Sequence, residues 1–153
     1  MTYVSSDNFS IADPYVGRTA PWSQEAEQAV LAAMMLDQDA ALRAAELVDD
    51  TMFYREGHRR LFRTMLALTE RRVVIDHITL RDELLRRGEL EVAGVLDYLA
   101  DLVDAVPTAA NLEFHAKIVR DKAILRRLIE GTTSIITEAY DGHSTAHDLL
   151  DVA

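Results

Sequence analysis

Five histidines, a knot of arginines and several acid pairs are the residues here whose types could do chemistry. His143 and His147 stand four apart, a spacing that clasps one metal ion when both imidazoles lie on a helix. They straddle the expected start of a helix, so the expectation is two solvated imidazoles and no metal site. His58 falls near the start of an amphipathic helix, His77 in a cap region, and His115 beside Phe114 on a long helix. Each is read as structural or surface rather than catalytic. Arg59, Arg60 and Arg63 form the densest basic cluster, which suits a phosphate contact or, as preferred here, a solvated helix face. Asp49–Asp50 and Asp82–Glu83 are sequence neighbours that diverge on a helix, so they are read as solvated charges, not acid/base dyads. Gly131-Thr132-Thr133-Ser134 lacks the lysine of a phosphate-binding loop, and the two lysines, Lys117 and Lys122, follow no glycine loop. G-x-S-x-G and H-E-x-x-H are absent. The expectation is therefore no catalytic, cofactor-binding or metal-ligating residue.

Composition narrows the class further. A chain of 153 residues suits one domain with flexible ends, long enough to bury a core without staples. No cysteine is present, which excludes disulfides and thiolate metal sites. The formal charge of -10 argues against phosphate neutralisation, so direct DNA binding is not expected. The charge is uneven: residues 111–140 carry four acids and five bases, read as a well-paired helix. The N-terminus has no basic and apolar signal pattern, and no apolar run reaches membrane-spanning length. A soluble cytoplasmic protein with no membrane partner is expected.

The elements that must position these residues are helical nearly throughout. Residues 1–20 are polar and read as a disordered tail. The head, 21–107, starts at Pro21. Ser23 caps a first helix to about Leu36 that buries Ala26, Val30, Leu31 and Met34, with Glu25 and Glu27 serving the helix dipole. Asp37 or Asp39 caps a second helix through Val48, and a connector at 51–54 plugs Phe53 into the core. A third helix runs from about Glu56 to Glu70, with Leu61, Phe62, Met65, Leu66 and Leu68 as its stripe. Val73-Val74-Ile75 is extended without a partner strand. Asp76 or Thr79 caps a fourth helix, Thr79 with Asp82 resembling a capping box, and Gly88 ends it. A fifth spans about Val92 to Val106 and stops at Pro107.

The stretch 108–153 is a long helix and the start of a hairpin. Asn111 is the expected cap. Phe114, Ile118, Asp121, Leu125, Leu128, Thr132, Ile135 and Ala139 then follow heptad spacing, and Ile129 and Ile136 widen the stripe. Nearly 30 residues span about 40 Å, more than the head can cover, so the stripe near Leu128 to Ala139 needs another partner. Asp141 and Gly142 break the helix, Ser144 or Thr145 caps a return, and the return ends within about two turns. The sequence is accordingly expected to be a piece of a longer chain. The fold class is all-α: a compact multi-helix head, a long projecting helix and the start of a helical hairpin.

Several ordered strings resemble the N-terminal domain of DnaB-family replicative helicases: Glu25-Ala26-Glu27-Gln28-Ala29-Val30-Leu31 with Met35-Leu36-Asp37; Phe53-Tyr54, His58 and Leu61-Phe62; Ile75-Asp76 with Ile78-Thr79-Leu80 and Glu83-Leu84; Gly94 and Tyr98-Leu99; Val106-Pro107-Thr108-Ala109-Ala110-Asn111, then Leu125-Arg126-Arg127-Leu128-Ile129. The likeness covers about 21–153. Ala93-Gly94, His115 and Met52 depart from it, where the family often has Gly-Gly, Tyr and an acid. The resemblance implies self-association: a dimer through paired hairpins, packed over Leu125, Leu128, Ile129, Thr132, Ile135 and Ile136, and a hexamer of the full-length chain. It implies docking of the C-terminal helical domain of primase, with Glu25 and Tyr98 matching the primase-facing surface, and contact with a helicase loader. ATP and Mg2+ belong to a motor domain that is absent here, and this part is expected to use no cofactor. Three competing readings come from the residues alone. The first is a freestanding helical dimerisation or adaptor module, against which the ending Asp151-Val152-Ala153 speaks. A DNA-binding helical domain is disfavoured by the charge, and a small enzyme has no constellation to support it.

Overall fold

The computed structural model describes residues 18–153 apart from Leu90 and Pro107. Most of the expected tail, and the expected stop at Pro107, lie outside the described residues. Seven helices and no strand occur among those described.

Helix α1 (Gln24–Leu36) is the central one. Ser23 caps it, its hydroxyl accepting from the Ala26 amide at 3.1 Å. Ala26, Ala29, Val30, Leu31, Ala32, Ala33 and Met34 are all buried, so α1 is covered on nearly every side. Small residues let neighbours approach closely. Asp37 closes α1 and caps α2 (Gln38–Leu47), accepting from the Asp39 amide. A 3-10 turn (Asp50–Met52), capped by Asp49, then delivers Phe53 into the core against Phe62, ring centroids 5.0 Å apart. Helix α3 (Glu56–Glu70) buries Leu61, Phe62, Met65 and Leu68, while Leu66 is half-buried.

Arg72 adopts a left-handed φ of 58° after α3, and Val73 to Ile75 run extended and unpaired. The capping box of α4 (His77–Arg86) sits one turn earlier than Thr79–Asp82. Asp76 accepts from the Ile78 and Thr79 amides, and the Thr79 hydroxyl accepts from the Asp76 amide. Asp76 wins because it alone precedes the first helical residue with free amides ahead of it. Gly88, at φ 77°, closes α4, with Gly88 donating to the Leu85 carbonyl and Glu89 to that of Leu84. Helix α5 is Val92–Ala105.

Helix α6 (Leu112–Asp141) has 30 residues. Asn111 occupies its cap position but makes no side-chain cap bond. The row that meets the head is Leu112, Ala116, Val119, Ala123 and Arg126. That row also has heptad spacing, and it is not the row beginning at Phe114, which is exposed. Beyond Arg126 no residue of α6 is buried. Gly142, at φ 71°, ends the helix. Thr145 caps α7 (Ala146–Val152), accepting from the Asp148 amide at 3.1 Å, and α7 contains no buried residue.

Candidate functional site

A chain of polar groups runs through the head where the sequence pointed only to structural residues. Glu27 and His58 are both buried. Glu27 Oε2 accepts from the Tyr54 amide at 2.7 Å, and Oε1 lies 2.7 Å from His58 Nδ1. His58 Nε2 lies 2.8 Å from the Tyr98 hydroxyl, which accepts from Gln28 Nε2 at 3.0 Å. One assignment satisfies every member: the amide of Gln28 donates to Tyr98, Tyr98 to His58 Nε2, and His58 Nδ1–H to the Glu27 carboxylate. The chain ties α1, α3 and α5 together and stops at a solvent-open cavity of about 250 Å3 lined by His58, Gly94 and Tyr98. Glu27 thus does more than serve the helix dipole. It lies on the buried row of α1 with Val30, Leu31 and Met34.

A second buried charge joins the head to α6. Arg126 is 8% exposed. Its guanidinium donates to the carbonyls of Pro21 at 2.9 Å and Met52 at 2.7 Å, and lies 5.4 Å from the centroid of the Tyr54 ring. Burial lowers its proton affinity and the nearby Glu27 charge restores part of it. Arg126 therefore departs from the expected well-paired solvated helix, although Lys117 and Asp121 do pair along α6. The arginine knot on α3 is engaged: Arg59 donates to the Phe53 carbonyl, Arg60 pairs with Glu89, and Arg63 pairs with Asp50 and Glu56. Glu83 overturns the expectation of two solvated acids. It is buried and receives Arg71, Arg86 and Arg87. Its position beside Leu80 and Leu84 on the inner face of α4 explains the burial. His143 lies in the turn before α7 and His147 within it, so the two do not share a helix. Among the described residues no group of three or more His, Asp or Glu could hold a metal ion.

The surface residues fall in two places. Leu125, Leu128, Ile129 and Ile136 are 45–58% exposed, with Thr132 exposed and Ile135 half-exposed beside them. At about 100° per residue they centre roughly 200° around α6 from the head-facing row. The structure therefore brings these six onto one side, turned away from the head. Glu25 is exposed on the first turn of α1. Tyr98 is half-buried, its hydroxyl committed to His58 and Gln28. Glu25 stands one turn before Gln28, so the two positions border the same region of the head.

The family model for the DnaB-like helicase N terminal domain matches residues 19–121. The chain belongs to that family. The DnaB-like assignment is supported by a solved structure, the N-terminal domain of DnaB helicase from Mycobacterium tuberculosis. It superposes with a TM-score of 0.79 at 37% identity, covering 87% of this chain and 94% of that one. Replicative DNA helicase DnaB of Geobacillus stearothermophilus is 44% identical over 136 residues, which are 89% of this chain. Replicative DNA helicase DnaC of Bacillus subtilis is 42% identical over the same share. The chain spans only 30% of the length of either relative. The all-α expectation and the family resemblance both hold. No described helix is long and apolar enough to cross a membrane.

Proposed function

We propose that this domain assembles and docks partners for a replicative DNA helicase whose ATP-driven motor lies in a further part of the chain. One observation carries the reading: α6 is anchored by its first half and presents a bare apolar side on its second, centred on Leu125, Leu128, Ile129, Thr132, Ile135 and Ile136. Such a side in water calls for a cover, and α7, with no buried residue, supplies little. A second copy offers the same heptad row, so two hairpins pair isologously. Each side chain so covered is worth on the order of 1 kcal/mol before association costs. In the full-length chain such pairs build a hexameric collar. The surface bearing Glu25 and Tyr98 docks the C-terminal helical domain of primase, and a loader engages the same assembly.

Light-scattering mass measures both claims. The chain is run alone, with primase C-terminal domain, and as a Leu128→Asp/Ile136→Asp variant. A dimer lost in the variant supports the seam, and a complex weakened by Glu25→Lys or Tyr98→Ala supports the docking surface. A variant that associates like its parent removes the seam reading. Primase binding that ignores both head substitutions removes the docking surface.

A further inference from the structure

The hydrogen-bond roles along the polar chain that ends at Tyr98 follow from its buried end. An ionised carboxylate only accepts, so Glu27 Oε1, 2.7 Å from His58 Nδ1, requires the imidazole proton there. A neutral imidazole carries one proton. Its Nε2 is then bare, and the Tyr98 hydroxyl 2.8 Å away must donate to it. The hydroxyl oxygen already accepts from Gln28 Nε2 at 3.0 Å. It keeps one lone pair for a group arriving from outside, and no proton.

A proton added to His58 inverts these roles without moving a heavy atom. Both ring nitrogens then donate, Nδ1 to Glu27 and Nε2 to Tyr98. Tyr98 accepts from Nε2 and from Gln28 together, and its O–H turns outward as a donor. Histidine is the side chain that changes charge within the physiological range. The charged and titratable groups around His58 are Glu27 from α1, Tyr98 from α5, and Arg55, Arg60, Glu89 and Glu91 at the walls of the cavity, where Arg60 pairs with Glu89. Helix α4 contributes the apolar Leu84 to those walls, and Arg126 of α6 faces Glu27. Gly57 and Gly94 border the same cavity. A Cβ at Gly57 would meet no atom within 4 Å, and one at Gly94 only Glu91 Oε2 at 3.9 Å, so both positions adjoin open space.

We infer that His58 sets the direction of the hydrogen bond that Tyr98 offers a docked protein, on the docking surface proposed for it, on which this rests. With a neutral imidazole, Tyr98 accepts from an N–H donor of the partner, a lysine or arginine side chain. With a charged one it presents a proton to that donor, and the bond is lost. A cation fits best among N–H donors because Glu91, Gly94, Tyr98 and Asp101 form one row at steps of three, four and three, with both acids exposed. His58, 2% exposed, is thereby a positioning residue that acts on the partner through Tyr98. Docking is strongest with the imidazole neutral and weakens as pH falls.

The test has two arms. In the first, nitrogen NMR of the chain alone follows both ring nitrogens of His58 from about pH 8 to about pH 5. The neutral form is expected to hold its proton on Nδ1, Nε2 to gain one on acidification, and Tyr98→Phe to shift the Nε2 resonance far more than that of Nδ1. A neutral form protonated on Nε2, an imidazole still uncharged at about pH 5, or an Nε2 blind to Tyr98→Phe each overturns the inference. In the second arm, calorimetry measures the Kd for primase C-terminal domain at the two ends of that titration. Wild type is expected to bind at least about tenfold more weakly with the imidazole charged, since a hydrogen bond to a charged group is lost. Tyr98→Phe binds at the weaker level at both ends, and so separates this effect from the titration of other groups. His58→Gln, which offers Tyr98 an acceptor and takes no proton, shows no such change. Tyr98→Phe carries the test alone if circular dichroism shows His58→Gln poorly folded. A wild-type profile parallel to that of Tyr98→Phe overturns the inference, and leaves the docking surface standing where Tyr98→Ala weakens binding. Binding that ignores Tyr98→Ala removes the docking surface itself, and the inference falls with it.

Discussion

Arg126→Ala is the substitution whose cost the structure determines most fully. The side chain donates to the carbonyls of Pro21 and Met52, at 2.9 and 2.7 Å. A hydrogen bond from a charged group is worth about 1.5–3 kcal/mol, and a buried acceptor left bare costs about 1–3. Both carbonyls are at the margin of the head, where water recovers part of that loss. The stacked Tyr54 ring adds roughly 0.5–1 kcal/mol and the uncovered space somewhat more. The expected loss is about 3–4 kcal/mol, a large share of a domain stability of about 5–15. Urea unfolding followed by far-UV dichroism measures it, with m-values compared to confirm two-state behaviour. Arg126→Lys reaches one carbonyl only and falls about halfway. The control is Arg127→Ala, whose guanidinium makes a 3.3 Å contact with Thr51 Oγ1 at an exposed site. It shifts stability by no more than about 0.5 kcal/mol. Should Arg126→Ala unfold at the same denaturant concentration as Arg127→Ala, the buried fork does not hold α6 to the head.

Leu128→Asp/Ile136→Asp leaves the stability of the unassociated chain within about 0.5 kcal/mol while abolishing its pairing, because both sites are exposed; urea unfolding at low concentration and light scattering at high concentration separate the two. Glu27→Gln and His58→Ala each destabilise by about 2–4 kcal/mol, and their double variant by clearly less than the sum. A coupling energy of about 1–3 kcal/mol in the thermodynamic cycle is the expected readout, and additivity would show that the 2.7 Å contact carries no energy. Asp76→Ala lowers the melting temperature at neutral pH. Bonds from Thr79 and Ile78 hold the Asp76 carboxyl below its usual 3.8, so its contribution is present above that value and fades as pH falls through the lowered folded one. Melting scans of wild type and Asp76→Ala therefore converge in strong acid. Asp76→Asn keeps the cap and loses the pH dependence.

Helix positions and the family were legible in the sequence because apolar spacing and cap chemistry are local. Helices α1, α2 and α4 begin or end near where Ser23, Asp37, Asp76 and Gly88 place them. Buried charge was the blind spot. Glu83 was read as a solvated charge, Glu27 as serving the helix dipole and Arg126 as part of a well-paired helix, because a charged type is rarely covered unless paired. Their partners, His58 and Tyr54 for Glu27 or Pro21 and Met52 for Arg126, are 27 to 105 residues away. A signal was present in their positions. Glu27 falls in register with Val30, Leu31 and Met34, and Arg126 continues the row Leu112, Ala116, Val119, Ala123. That row went unread because Phe114, Leu125 and Leu128 weigh more on any apolar scale than Ala116 and Ala123. Alanine is favoured where two helices must approach closely, and bulk where a surface awaits a partner.

The two rows on α6 together explain why its anchor is a charge. Ala116 and Ala123 bring α6 close to the head but offer little to resist rotation about its axis. A rotation of one residue, about 100°, would swing Leu128 and Ile136 out of line with any partner. From Arg126 to Asp141 the helix extends about 22 Å, so a small angular error at the head becomes a displacement of several ångströms at the tip. A planar guanidinium bonded to two carbonyls from different segments, and stacked on Tyr54, fixes both angle and rotation in a way that an apolar side chain in a groove does not. Desolvating Arg126 is costly, and the buried Glu27 charge offsets part of that cost from the neighbouring polar chain. The same carboxylate thereby holds His58 and the Tyr54 amide on one side and faces the Arg126 charge at the middle of α6 on the other. The half-buried Tyr98 and the angle at which α6 leaves the head are thereby tied to one group of polar side chains around Glu27.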